Sequence, residues 1–280
     1  MAEPSGSAEG LSWRILIFDS GMGGLTVASA IRAELPEAEL VYAADSAAFP
    51  YGAWREEPLV ARIEAVVARL IDEIEPDAVV IACNTASTLA LPQLRSRHRL
   101  PFIGTVPAIK PAAAQTQSRI IGVLATPGTV GREYTQALIH TYAFHCRVIL
   151  HGAPQLAEMA EARLAGAAPD LAGIGREIAP VFRDIDGART DVVVLGCTHY
   201  PLLLPELRTA APWPVTFIDP APAIARRTAS VVAGLASQAP GARPNPMPGL
   251  VCFTDRREPG AAYAAMGFDQ VRIIAMPVGA

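Results

Sequence analysis

Short unbroken apolar runs alternate along this chain with longer segments in which apolar side chains recur every three or four positions. The short runs fall at residues 15–18, 40–42, 78–82, 120–124, 146–150 and 192–196. Runs so short and continuous predict strands buried on both faces, as in parallel sheets. The periodic segments predict helices over 24–35, 58–74, 129–142, 171–186 and 221–236. In the second of these, Leu59, Ile63, Val66, Val67, Leu70 and Ile74 share one face, which is the helical period. The alternation of strand and helix predicts an α/β protein with largely parallel sheets. Residues 238–249 are rich in Pro and Gly and predict a loop.

The pattern also repeats. Asp77-Ala-Val-Val-Ile-Ala-Cys83 matches Asp191-Val-Val-Val-Leu-Gly-Cys197 in register, and a threonine closely follows each cysteine (Thr85, Thr198). The segment opening at Arg14 likewise aligns with that opening at Arg119. Two similar α/β units follow from this, each with a cysteine just past the carboxyl end of a strand, where open parallel sheets bind ligands. Two such units facing one another would place both thiols across a shared cleft.

Composition narrows the class. The chain has 280 residues, 51% of them hydrophobic and 18% charged, with a formal net charge of -4. That is enough for a sizeable buried core and argues against disorder. With no long basic run, nucleic acid and anionic membranes are not expected partners. Cys83, Cys146, Cys197 and Cys252 are scattered without a C-x-x-C pair. Neither a zinc site nor a disulfide framework is expected, and free thiols suit a reducing cytoplasm. Residues 1–12 lack the features of a signal peptide and read as a disordered tail. The longest uncharged stretch, 78–94, carries Asn84, Thr85, Ser87, Thr88 and Pro92, too polar for a bilayer span.

Candidate chemistry gathers at the strand ends. Cys83-Asn84-Thr85 puts a thiol near a helix N-terminus, where backbone N–H groups stabilise a thiolate. Asn84 and Thr85 add donors suited to a carboxylate; the alternative is a buried packing cysteine. In Gly196-Cys197-Thr198-His199, a thiol and an imidazole two residues apart can form an ion pair or a proton relay. Asp19-Ser20-Gly21-Met22-Gly23-Gly24 allows close backbone approach to a ligand, but its spacing is not that of a dinucleotide-binding turn. Asp19 suits an ammonium group or a neighbouring catalytic group, or it caps the following helix. Pro50-Tyr51-Gly52 offers backbone N–H groups and a phenol to an anionic substrate, and is also ordinary turn chemistry. No lysine sits among these motifs to hold pyridoxal phosphate as a Schiff base. No cofactor and no metal are expected.

At these residues the chain resembles the glutamate racemases of the aspartate/glutamate racemase superfamily. The resemblance rests on Asp19-Ser-Gly-Met-Gly-Gly-Leu25, Asp45 with Pro50-Tyr-Gly52, Ala82-Cys-Asn-Thr-Ala-Ser87, Gly196-Cys-Thr-His-Tyr-Pro-Leu202 and Phe217-Ile-Asp-Pro220. It implies two similar domains with the active site in the cleft between them. The expected boundaries are 13–105 and 106–217, with 218–280 returning to the first domain. It implies Cys83 and Cys197 as catalytic bases assisted by Asp19 and His199. Ser20, Pro50, Tyr51, Gly52, Asn84, Thr85 and Thr198 match substrate-binding positions. The implied reaction is cofactor-independent interconversion of L- and D-glutamate in the cytoplasm, supplying D-glutamate for peptidoglycan, with glutamate as the partner and a homodimer allowed. Aspartate or hydantoin racemases of the same superfamily are the nearest alternative; a non-catalytic two-lobed binding protein is the alternative of another class. The chain departs from the family pattern at Ala48, at 104–111 and at 145–161. In the last segment both Glu158 and Glu161 are candidates for an auxiliary acid.

Overall fold

The computed structural model describes residues 12–235 and 245–276. Residues 1–11 of the expected tail and the first part of the expected 238–249 loop lie outside them.

The first part of the chain runs β1 (Arg14–Asp19), α1 (Leu25–Glu34), β2 (Glu39–Ala44), α2 (Glu56–Ile74), β3 (Ala78–Ile81), α3 (Asn84–Arg97) and β4 (Phe102–Gly104). Next come α4 (Ile109–Gln115), β5 (Ile120–Ala125), α5 (Pro127–Val130), α6 (Glu133–Tyr142), β6 (Arg147–Gly152), α7 (Leu156–Leu164) and α8 (Leu171–Ile178). A hairpin of β7 (Asp184–Ile185) and β8 (Ala188–Arg189) precedes β9 (Val192–Gly196), α9 (Leu204–Ala210), β10 (Thr216–Ile218) and α10 (Ala221–Gly234). The chain closes with β11 (Leu250–Phe253), α11 (Ala261–Ala265) and β12 (Gln270–Ile273).

Two separate sheets result, both wholly parallel: β12-β11-β2-β1-β3-β4 and β10-β9-β5-β6. The last two strands therefore lie in the first sheet, and α10 packs along α1. All six predicted strands are present. The apolar face of α2 is buried as its periodicity predicts, each such side chain contributing roughly 1.5–3 kcal/mol relative to exposure.

The repeat has a structural meaning. β1 lies beside β3, and β5 lies beside β9. Each pair thus brings the loop after the opening strand next to a cysteine. The pairing registers differ by one residue: Ala78 lies opposite Ile15, but Val192 lies opposite Ile121. The aspartate that opens each repeat is an anchor. Asp77 accepts the N–H of Arg14 at 2.8 Å, and Asp191 accepts from Thr116 Oγ1, Gln117 N and Ser118 N.

Two predicted helices are corrected. The 129–142 helix is interrupted: α5 ends at Val130, and Arg132 is extended (φ -81°, ψ 138°) before α6 begins. The 171–186 helix stops at Ile178, passes through a 3₁₀ turn at Ala179–Val181 and enters the β7–β8 hairpin. Asp186 and Gly187 turn that hairpin with positive φ (53° and 84°), as expected of an Asp-Gly pair. Ile174, Ile178, Val181 and Ile185 prolong a helical spacing through the turn, so the period alone misleads.

Candidate active site

In the first half of the site, β1 delivers the Ser20–Gly24 loop and β3 delivers Cys83. Neighbouring strands make these two segments abut, and Ser20 Oγ lies 3.8 Å from Cys83 Sγ. Asp19 is fully buried; its Oδ1 accepts from Ser20 N at 2.8 Å and its Oδ2 from Gly24 N at 2.5 Å. It thus folds the turn that leads into α1 while standing behind Cys83. Burial raises its pKa, and the charge of His199 opposes that rise.

Cys83 is the N-cap residue of α3. The expectation of a stabilised thiolate there is not met. Burial first, and the Asp19 carboxylate second, push the thiol well above its usual value; the backbone N–H of Ala86 and the Ser20 hydroxyl pull the other way and lose. A helix N-terminus contributes about 0.3–1 kcal/mol to an anion, too little against burial beside a carboxylate.

In the second half, β9 delivers Cys197, Thr198 and His199, followed by a 3₁₀ turn at Tyr200–Leu203. The buried Tyr200 phenol donates to the carbonyls of Ala125 and Ala153 at 3.0 and 3.2 Å, which locks this segment to the ends of β5 and β6. His199 Nδ1 lies 3.8 Å from Cys197 Sγ, and its Nε2 lies 3.1 Å from Glu161 Oε1. Burial opposes a charge on His199, but the hydrogen bonds to Cys197 and Glu161 outweigh it and push its pKa up to about 10. The raised pKa favours the protonated ring, whose two nitrogens face Cys197 and Glu161, while the Gly23 N–H also points at Nε2 from 3.2 Å. Glu161 is itself held below the usual carboxylate range: burial raises it, but His199 and the Met22 N–H more than offset that.

The two halves close on one small cavity of about 20 Å³, lined by both Cys83 and Cys197. Ser20, Pro50, Tyr51, Gly52, Asn84, Thr85, Thr198 and His199 line it too; of the residues proposed from sequence, Asp19 and the two candidate auxiliary acids do not. That volume holds roughly one water, so this closed arrangement must open for a larger ligand. The halves are latched by Met22 N donating to Glu161 Oε1 at 2.8 Å and by the Thr85 and Thr126 hydroxyls at 3.0 Å. The loop glycines permit this approach. A Cβ on Gly21 would collide with Glu161 Oε1, and one on Gly23 with the His199 ring.

The Tyr51 phenol is occupied elsewhere. It donates to Asp45 Oδ2 at 2.6 Å, and Asp45 also accepts from Arg62 Nε, Arg62 Nη2 and Thr254 Oγ1 at 2.6–2.7 Å. This buried cluster fixes the Pro50–Gly52 turn from behind. Asn84 differs: its Oδ1 and Nδ2 are both buried without a hydrogen-bond partner among the described residues.

Of the two acidic candidates, Glu161 reaches the site and Glu158 is exposed. Phe49, Thr126 and Ala157 line the cavity without having been singled out from sequence. Thr126 and Thr129, whose hydroxyls meet at 3.0 Å and both contact Thr85, had one legible signal: they follow the strand that repeats β1. Cys252 lies on β11, its thiol pushed up to about 12 by burial, and Cys146 is half-buried away from the cavity. All four cysteines are free. Among the described residues no cluster of His, Cys, Asp and Glu could hold a metal, and no helix is long and apolar enough to cross a membrane.

A family profile described as Asp/Glu/Hydantoin racemase matches residues 25–228. The chain is 53% identical over 232 residues to a glutamate racemase of Brucella anthropi, covering 82% of each chain. It is 54% identical over 219 residues to a glutamate racemase of Brucella canis, covering 78% of this chain and 79% of that one. Among solved structures, Escherichia coli glutamate racemase in complex with L-glutamate and the activator UDP-MurNAc-Ala superposes with a TM-score of 0.85 at 39% identity, over 94% of this chain and 98% of that one. Glutamate racemase from Thermus thermophilus gives 0.72 at 27% identity, over 95% and 98%. An allantoin racemase from Klebsiella pneumoniae shares the fold at 0.53 and 21% identity, over 91% and 99%.

Proposed function

The chain belongs to the Asp/Glu/Hydantoin racemase family and is an isomerase of its glutamate racemase branch; from that premise we propose that it interconverts L- and D-glutamate with Cys83 and Cys197 as paired acid and base. The observation that carries the mechanism is that the two thiols end matched strands of two sheets and line one cavity.

Inverting an α-carbon means removing its proton from one face and returning a proton to the other. One thiolate accepts the α-proton, leaving the electron pair on carbon, and the opposite thiol donates its own proton to that carbon. The first cysteine ends as a thiol and the second as a thiolate, and the reverse reaction exchanges them. In the arrangement described, Cys83 is held as the thiol, while Cys197 has the His199 ring 3.8 Å from its sulfur. Asp19 and Ser20 serve the Cys83 side, His199 and Glu161 the Cys197 side.

The carbanion has no cofactor to spread its charge, so preorganised donors around the α-carboxylate and exclusion of water must stabilise it. The unpartnered Asn84 amide, with a donor and an acceptor in the cavity wall, suits the carboxylate and ammonium of an amino acid. Thr85, Thr198, Ser20 and the Pro50–Gly52 turn complete the substrate contacts. We take the first lobe as 13–105, the second as 106–217, and 218–280 as returning to the first. The product D-glutamate feeds peptidoglycan synthesis in the cytoplasm.

The test is polarimetric: purified protein with L- and D-glutamate, aspartate and a hydantoin, before and after treatment with a chelator. Racemisation of glutamate from both directions, undiminished by the chelator, is expected. Turnover of aspartate or the hydantoin in place of glutamate would move the chain to a neighbouring branch. Loss of activity that a metal restores would overturn the cofactor-independent mechanism.

A further inference from the structure

One peptide in the Ser20–Gly24 loop faces two ways. Its carbonyl, on Gly21, accepts from the phenol of Tyr42 at 2.8 Å and from that of Tyr263 at 3.3 Å. Its N–H, on Met22, donates to Glu161 Oε1 at 2.8 Å. The C=O and N–H of a trans peptide point in opposite directions from one rigid plane, so holding the carbonyl fixes the aim of the N–H. The same Glu161 oxygen lies 3.1 Å from His199 Nε2, and the other ring nitrogen faces Cys197.

We propose that Tyr42 and Tyr263 are positioning residues for the Cys197 half of the site: through the Gly21–Met22 peptide they hold Glu161 against His199, and so hold the imidazolium beside the thiol. The proposal rests on the reading of Cys197 as a catalytic base. It gives α11, 242 residues from Gly21 along the chain, a part in organising a side chain on α7, which packs against the second sheet.

The geometry supports a fixed anchor. Both tyrosines are buried, with ring centroids 5.5 Å apart in an edge-on arrangement, and Phe253 and Phe268 pack around them. Burial, and the carboxylates of Asp19 and Glu161, keep both phenols protonated and able to donate. A carbonyl has two lone pairs and can accept from both. With both donors gone, the buried carbonyl would be left unpaired, and only rotation of the peptide could bring it a new partner. That rotation would carry the Met22 N–H away from Glu161. The titratable groups facing His199 are Cys197 on its own segment, Glu161 on α7 and Asp19 at the end of β1; Glu161 also feels Arg257.

The test is the His199 titration, read by NMR on histidine-labelled full-length protein without substrate, with the signal assigned by His199→Gln. Because two phenols share one carbonyl, Tyr42→Phe and Tyr263→Phe alone are expected to shift the midpoint slightly. The double variant should lower it by about one pH unit or more, the scale of a lost charge partner, and move the alkaline limb of kcat/KM in the same direction. Tyr51→Phe loses a buried hydroxyl of the same kind to Asp45 and should leave the midpoint where it is in the parent. A double variant with an unchanged midpoint, whatever its melting temperature, would assign the phenols to packing alone and overturn the proposal. Should the double variant not fold, Tyr42→Phe, which removes the shorter bond, is read instead: a small downward shift of the midpoint supports the proposal, and an unchanged midpoint overturns it. Since no substrate is present, this result is separable from any failure of the racemase assay.

Discussion

Cys83 and Cys197 follow matched parallel strands, yet the chain surrounds them with opposite charge. Cys83 caps a 14-residue helix and has the buried Asp19 carboxylate behind it. Cys197 precedes only a four-residue 3₁₀ turn and has an imidazolium 3.8 Å away, itself paired to Glu161. The helix dipole would favour a thiolate at Cys83, but burial and the carboxylate overrule it. What the difference teaches is that the repeat supplies placement, one thiol per sheet, while positions at which the two units differ, such as Asp19 against Leu124, set the surroundings of each thiol. A two-base reaction needs that asymmetry: one thiol must be an acid while the other is a base.

The comparison is broken most completely by removing acidity from either thiol. Cys83→Ser and Cys197→Ser should each lower the rate of racemisation by about 10³-fold or more, because a hydroxyl is a far weaker acid and the loss of a positioned acid or base costs about 10²–10⁴. Equal loss from both sides is expected, since inversion uses both; a variant retaining ordinary turnover would remove that residue from the mechanism. Cys146→Ala, away from the cavity, should stay near the parent rate in the same assay.

Removing the charges instead should separate the halves. Asp19→Asn and His199→Gln each spare both thiols but alter one side. Each should reduce kcat by about 10²-fold, and their effects on the D→L and L→D directions should be opposite in bias under single-turnover conditions. Identical bias in the two variants would mean that the charges act on the whole cavity rather than on one thiol each.

The smallest expected effect is on stability. His199 has its pKa raised from 6.5 to about 10, so its pairing stabilises the fold fully below about pH 6.5 and progressively less as pH rises toward 10. Cys83, also raised, adds a loss of the same sign only above its ordinary value of 9.0. Between pH 6.5 and 9 the melting temperature should therefore fall more steeply in the parent than in His199→Gln. Parallel curves would show that the imidazolium contributes nothing to stability.

Much of this was legible in sequence because parallel strands buried on both faces read as plain apolar runs. The cysteines were legible because each closes such a run and is followed by polar residues. Of helix α3 only the start, just after Cys83, was legible; its extent was not, since its Ala, Ser and Thr positions and Pro92 give no clear apolar face. Glu161 could not be separated from Glu158 because they sit one turn apart on α7, and only the docking of that helix against Met22 and His199 decides between them. The hold of Asp45 on the Tyr51 phenol was not legible because the other groups that fix Asp45, Arg62 and Thr254, are remote in sequence. The charge state of Cys83 was missed for a similar reason: burial beside Asp19 is a property of the assembled sheet, not of the motif.

The central claim, two thiols on opposite faces of one α-carbon, is tested most directly by solvent deuterium incorporation into glutamate. Cys83→Ala and Cys197→Ala, each incubated separately with L- and D-glutamate in D₂O, should give no racemised product. Each should exchange the α-hydrogen of one enantiomer only through its remaining thiol, and the two variants should prefer opposite enantiomers. The same preference in both variants, or racemisation by either at an ordinary rate, would contradict the account.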